Sequence, residues 1–230
     1  MFRQATLGVI LFLFIALNAG MAAFALSGYR AFFGQHSALL FVVELAVILF
    51  LYAVATAFLV RVRGEAWNKI LTNATVFGGI TGALEIINMG LENAAPTATH
   101  SPAVSIGAMA VVFLLWGVAG ARTVRSGNSI RSGMATSVLS AGICMLIAVA
   151  AGFAIEFFIA PPDPAVVSMW AEYRRSGWTD PHAFGLANAL DSGFTHLFVA
   201  PIVAMVFGGI GSLLARLLRP AVRSAGSRSE

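Results

Sequence analysis

The segment Ala38-Leu-Leu-Phe-Val-Val-Glu44-Leu-Ala-Val-Ile-Leu-Phe-Leu-Tyr52-Ala-Val-Ala-Thr-Ala-Phe-Leu-Val60 holds a single charged side chain, Glu44. A helix needs about 20 predominantly apolar residues to cross roughly 30 Å of hydrocarbon, and this run is long enough. It also lacks the alternation of a barrel strand, and lipid offers no partner to a backbone outside a helix or closed barrel. The segment therefore reads as a transmembrane helix.

The same reading extends along the chain. Spans are expected at about Ala5–Leu26, Ala38–Val60, Thr75–Leu91, Ala103–Ala121, Met134–Ala160 and Asn188–Leu217. The composition agrees, with 59% hydrophobic residues, 10% charged and a mean hydropathy of +0.87. So few charges do not cover a water-facing surface, which excludes soluble folds. The expected architecture is an all-α integral membrane protein, a six-helix bundle over residues 1–217 followed by a basic cytoplasmic tail, 218–230. The first run, with Arg3 ahead of it, reads as an uncleaved span rather than a signal peptide.

Orientation follows from the arginines, which are retained on the cytoplasmic side. With the amino terminus inside, 11 of the 14 cations fall in cytoplasmic segments, and only Arg30, Arg174 and Arg175 fall outside. Both termini are expected in the cytoplasm and the protein in the cell (inner) membrane. The arginine-rich tail would meet anionic lipid of the bilayer rather than nucleic acid.

The last outer connection, about Pro161–Leu186, carries two helix-start signals, Asp163-Pro164 and Asp180-Pro181. Between them, Val167, Trp170 and Tyr173 share one face, as in a short interfacial helix. The windows Ala110–Arg122 and Ala204–Arg216 match at 6 of 13 positions, a weak internal echo. Small-residue pairs such as Gly78/Gly82 and Gly117/Ala121 suit close helix packing.

The chemistry is unevenly distributed. Eight of the ten acids and all four histidines fall in the expected outer half, whereas the inner halves of the spans read as almost free of polar groups. In the third span, Thr81, Glu85, Asn88 and Glu92 recur at helical spacing, and in the sixth so do Asn188, Asp191, Ser192, Thr195 and His196. Glu44 and Glu156 lie near the outer ends of the second and fifth spans. An ionisable side chain at membrane depth is costly and is seldom kept without a partner or a use. The expected site is an outward-facing cation- or proton-binding cavity formed by Glu85, Asp191, His196, Glu44, Glu156, Glu92 and Asn88. Glu85, Asp191 and His196 are the candidate ligands of a divalent metal such as Mn, Zn or Fe.

Other chemistries lack residues. Cys144 is the only cysteine, so no disulfide or thiolate metal centre forms. Lys69, the only lysine, lies in a polar connection, which leaves no buried amine for a Schiff base. There is no His-Glu-x-x-His, Walker loop or Gly-x-Ser-x-Gly elbow. Three functions fit this pattern: binding or movement of a cation or protons, a non-catalytic subunit docking a membrane-protein partner or forming a homo-oligomer, and a metal-dependent enzyme at the outer leaflet. The lack of an inner polar path weighs against transport, and the lack of a defined ligand pair weighs against the enzyme.

Overall fold

The computed structural model describes residues 2–94 and 102–218. The chain order is α1 (Phe2–Gly28), a 3-10 turn (Arg30–Gly34), α2 (Ala38–Arg61), α3 (Glu65–Ala94), α4 (Pro102–Arg125), α5 (Ile130–Ala154) running into a π-helical turn (Ile155–Ile159), α6 (Pro164–Met169), α7 (Ala171–Ser176) and α8 (Pro181–Leu217). Six of these, α1 to α5 and α8, are long and apolar enough to cross a membrane. They alternate in direction. One end of the bundle, the loop end, therefore gathers residues 29–37 and 161–180, and the other, the arginine end, gathers Arg61, Arg63, Lys69, Arg122, Arg125 and Arg131.

Two boundaries differ from expectation. The third helix begins at Glu65, ten residues early, because its polar first turns are held by other means than hydropathy. Gly64, at φ +139, turns the chain out of α2, and Glu65 pairs with Lys69 one turn on at 2.9 Å. The expected single interfacial helix is two short ones, broken at Trp170, whose ψ of 137 is extended. Val167 is buried in contact with Gly185 of α8, and Tyr173 packs edge-on against Phe184. Both predicted caps form: Asp163 accepts from the Ala165 amide, and Asp180 from the His182 and Ala183 amides. Residues 219–230 and His100 lie outside the described part.

The bundle is built on α5 and α8. The α5 helix is the most enclosed span, and its buried positions are largely small, including Gly133, Ser137, Ser140, Ala141 and Cys144. Small residues let backbones approach where lipid provides no hydrophobic drive for association. A Cβ at Gly78 of α3 would stand 2.7 Å from the Ser140 carbonyl of α5, and one at Gly82 3.1 Å from Ile147. The echo between α4 and α8 has a spatial meaning. These helices run in the same direction, and equivalent residues meet across them: Phe113 and Phe207 ring centroids are 5.1 Å apart, and Gly211 leaves no room for a Cβ against the Gly117 carbonyl.

Cross-helix hydrogen bonds lock this packing. Asn18 of α1, fully buried, donates to the Phe14 and Leu146 carbonyls at 2.8 and 3.0 Å. Pro201 inside α8 has no N–H for the Leu197 carbonyl one turn before it; the Tyr52 hydroxyl of α2 donates to that carbonyl at 2.9 Å instead. At the loop end, Trp178 packs among Phe32, Phe41 and Phe184, and Gln35 accepts from the Thr179 amide and hydroxyl.

Candidate functional site

The polar residues converge where α3, α5 and α8 separate towards the loop end. A cavity of about 270 Å³ lies there, lined by Glu85 and Asn88 of α3, Glu156 of the π-turn, and Ser192 and His196 of α8, with Met89, Met145 and Phe153 among its apolar walls. Helical spacing explains the selection. Residues 85, 88 and 89 share one face of α3, and residues 189, 192, 193 and 196 share one face of α8. The opening comes from side-chain choice, since Gly152 and Ala148 of α5 leave space that Met89 does not fill.

Glu156 sits on a π-helical turn in which the Ala160 amide bonds back to the Ile155 carbonyl at 2.7 Å, five residues away. Such a turn adds a residue to the helix and re-aims the side chains beyond it, a device common at functional sites. Here Glu156 lies within electrostatic reach of His196. It also lines a second cavity, of about 240 Å³, with Tyr29, Phe157 and His182. Glu156 and Ala189 thus form the wall common to both cavities.

His196 is oriented by its own helix. Its Nδ1 is 2.7 Å from the Ser192 carbonyl and 3.3 Å from the Ser192 hydroxyl. A carbonyl oxygen only accepts, so Nδ1 carries a proton and Nε2 is the nitrogen left free to exchange one. That arrangement leaves Nδ1 unable to act as a base towards Ser192, which removes a Ser192–His196 hydrolytic dyad.

The second cavity is bounded on the loop side by Tyr29, which donates a hydrogen bond to the Asp180 carboxylate and packs edge-on against His182 with centroids 4.4 Å apart. The hydrogen bond to Asp180, reinforced by burial, raises the Tyr29 hydroxyl above the usual tyrosine range. Burial pushes the Asp180 carboxyl up, but hydrogen bonds from Tyr29 and from the Ala183 and His182 amides outweigh it and hold Asp180 below the usual aspartate range.

Four of the expected site residues, Glu85, Asn88, Glu156 and His196, line one cavity. Two others do not line it. Asp191 is one residue before Ser192, about 100° around the helix, so the sixth-span stripe divides: Ser192 and the exposed His196 line the cavity, while Asn188, Asp191 and Thr195 do not. Glu44 is on α2, which packs mainly on α1 and α8, and it does not line this cavity. The side chain of Glu92 lies outside the described part. The metal trio of Glu85, Asp191 and His196 is therefore not assembled, and among the described residues no three His, Cys, Asp or Glu side chains gather closely enough to hold a metal ion. Arg175, at the loop end, pairs with Glu172 at 3.6 Å.

The half towards the arginine end is more polar than the sequence suggested. Thr123, Thr136, Ser137, Ser140 and Ser212 are all fully buried between α4, α5 and α8. Sequence reading passed over them because hydroxyls weigh little in hydropathy, although their helical recurrence from Ser129 to Ser140 was visible. No protein-family model, curated protein or solved structure matches the chain.

Proposed function

We propose that this membrane protein binds and releases protons, or a small cation in their place, in the cavity of Glu85, Glu156 and His196. One observation carries the reading: two carboxylates and an imidazole from three different spans line one cavity within the apolar length of the helices. Ionisable groups at such depth serve relays and ion pathways far more often than packing. The absence of a metal-gathering trio among the described residues favours protons over a divalent ion. His196 is close enough to bear on the charge of Glu156. In this reading the arginine end faces the cytoplasm of a cell membrane and the cavity opens outward, in keeping with the arginine distribution.

Potentiometric titration of the protein in nanodiscs, with elemental mass spectrometry on the same samples, tests the proposal. Glu85→Gln and Glu156→Gln are each expected to lower proton uptake, with no divalent metal in stoichiometric amount. Unchanged uptake in both variants, or a stoichiometric metal lost with Glu85→Gln, would overturn it.

A further inference from the structure

The polar groups do not stop at the cavity floor. Below Glu85, one turn along α3, Thr81 is fully buried, with its hydroxyl within hydrogen-bonding reach of the Cys144 thiol of α5, and Cys144 is within electrostatic reach of Glu85. One turn further along α5 is Ser140, whose hydroxyl is buried and has no hydrogen-bond partner among the described residues. Next come Ser137 and Ser212, which both face Gly120: a Cβ built there would stand 3.0 and 2.9 Å from their hydroxyls. The Ser212 hydroxyl and the Trp116 indole N–H are likewise buried without partners. Beside Ser137, and one turn along α5 from Ser140, the Thr136 hydroxyl is 3.0 Å from that of Thr123, and Asn73 donates to Thr123 at 3.0 Å. Asn73 is half-buried, one helical turn from Lys69 at the arginine end.

We infer that this column, from Glu85 through Ser140, Ser137 and Ser212 to the Thr136–Thr123 pair, which Asn73 orients, conducts protons between the cavity and the arginine end. The inference rests on the proton reading of the cavity and extends it from binding to passage across the membrane.

Two features support conduction over simple packing. Several hydroxyls have one proton and two acceptors in reach. Thr123 faces the Ala119 carbonyl and Thr136; Thr136 faces the Ser132 carbonyl and Thr123; Ser137 faces the Trp116 and Gly133 carbonyls. Such a hydroxyl can accept a proton on one lone pair from a neighbouring hydroxyl or water, release its own to the next hydroxyl or water, and return by rotation, the carbonyls only holding it between transfers, so each transfer conserves protons and charge. The second feature is the set of unpartnered polar atoms on Ser140, Ser212 and Trp116. Buried polar groups are ordinarily satisfied, and in an apolar bundle these are the groups that internal water would bond, linking the steps that side chains alone leave one turn apart. This polar column corrects the expectation that the inner halves offer no path.

The test is proton flux in sealed vesicles that trap a pH-sensitive dye, driven by a potassium–valinomycin potential. Wild type is expected to conduct above protein-free vesicles. Thr123→Val with Thr136→Val, which keeps shape and removes both hydroxyls, is expected to bring flux down to the protein-free rate, and Thr123→Ser with Thr136→Ser to retain it. Wild-type flux in the double valine variant, loss of flux in both the valine and serine pairs, or no flux in wild type would overturn the path. Proton uptake in nanodiscs, compared between wild type, Glu85→Gln and Glu156→Gln, reports separately on the cavity: its persistence with no flux refutes the path alone, and its insensitivity to both substitutions refutes the cavity reading.

Discussion

The two halves of the bundle handle polar side chains in opposite ways. Towards the loop end, carboxylates, an imidazole and an amide line an open cavity between α3, α5 and α8, flanked by flexible methionines. Towards the arginine end, hydroxyls are sealed in a seam where glycine backbones touch: Gly120 against the Gly208 carbonyl, Gly117 against Phe207, Gly211 against Gly117. The same helices supply both halves, so the contrast comes from side-chain size along each helix. Where Gly and Ser recur on facing helices the backbones close on one another; where Met89, Met145 and Phe153 replace them the helices stand apart and ionisable groups gain room.

The sharpest way to break this contrast is to overfill the seam. Gly211→Leu should destabilise by about 3 kcal/mol or more, since its new atoms meet the Gly117 backbone rather than a movable side chain. Unfolding in a mixed-micelle titration would register this, and wild-type stability would show that the seam is loose. Tyr52→Phe comes next, at about 1–2 kcal/mol, because it leaves the Leu197 carbonyl beside Pro201 without a donor. Adding Pro201→Ala restores the helical N–H and should recover most of that loss; a double variant no more stable than Tyr52→Phe would refute this account of the bond.

Asp180→Ala should cost about 1 kcal/mol by removing the α8 cap and the Tyr29 tie. Because the folded Asp180 carboxyl is held below its unfolded value, its stabilisation is fully present above about pH 4 and is lost as pH falls through the lower folded value. Near-ultraviolet circular dichroism of the Tyr29 and Trp178 region should show an acid step in wild type that Asp180→Ala lacks. Gly152→Ala, in the cavity half, should be nearly neutral, within about 0.5 kcal/mol, as the nearest atom to its Cβ is the Met89 sulfur at 3.9 Å. Gly120→Ala, which would meet the Gly208 carbonyl at 2.8 Å, should cost clearly more. Equal stability of this pair would erase the distinction between the halves.

How much of this was legible beforehand varies by feature. The six apolar helices and the two Asp-Pro caps follow from run length and capping chemistry, which are local. Glu85, Asn88, Glu156 and His196 were legible because spacing and depth single them out. Asp191 and Glu44 were not separable from them, because one sequence does not tell which helices adjoin or how each is rotated. The π-turn beneath Glu156 has no local signature in an apolar run, and the break at Trp170 depends on Val167 docking against α8.

The most direct test of the central claim is infrared spectroscopy of the cavity carboxyls across a pH series, with Glu85→Gln, Glu156→Gln and His196→Asn in the same nanodiscs. The account predicts protonated-carboxyl bands that change with pH, disappear one by one in the two Gln variants, and shift in midpoint when His196 is replaced. Bands that persist in both Gln variants, or a Glu156 titration indifferent to His196→Asn, would contradict it.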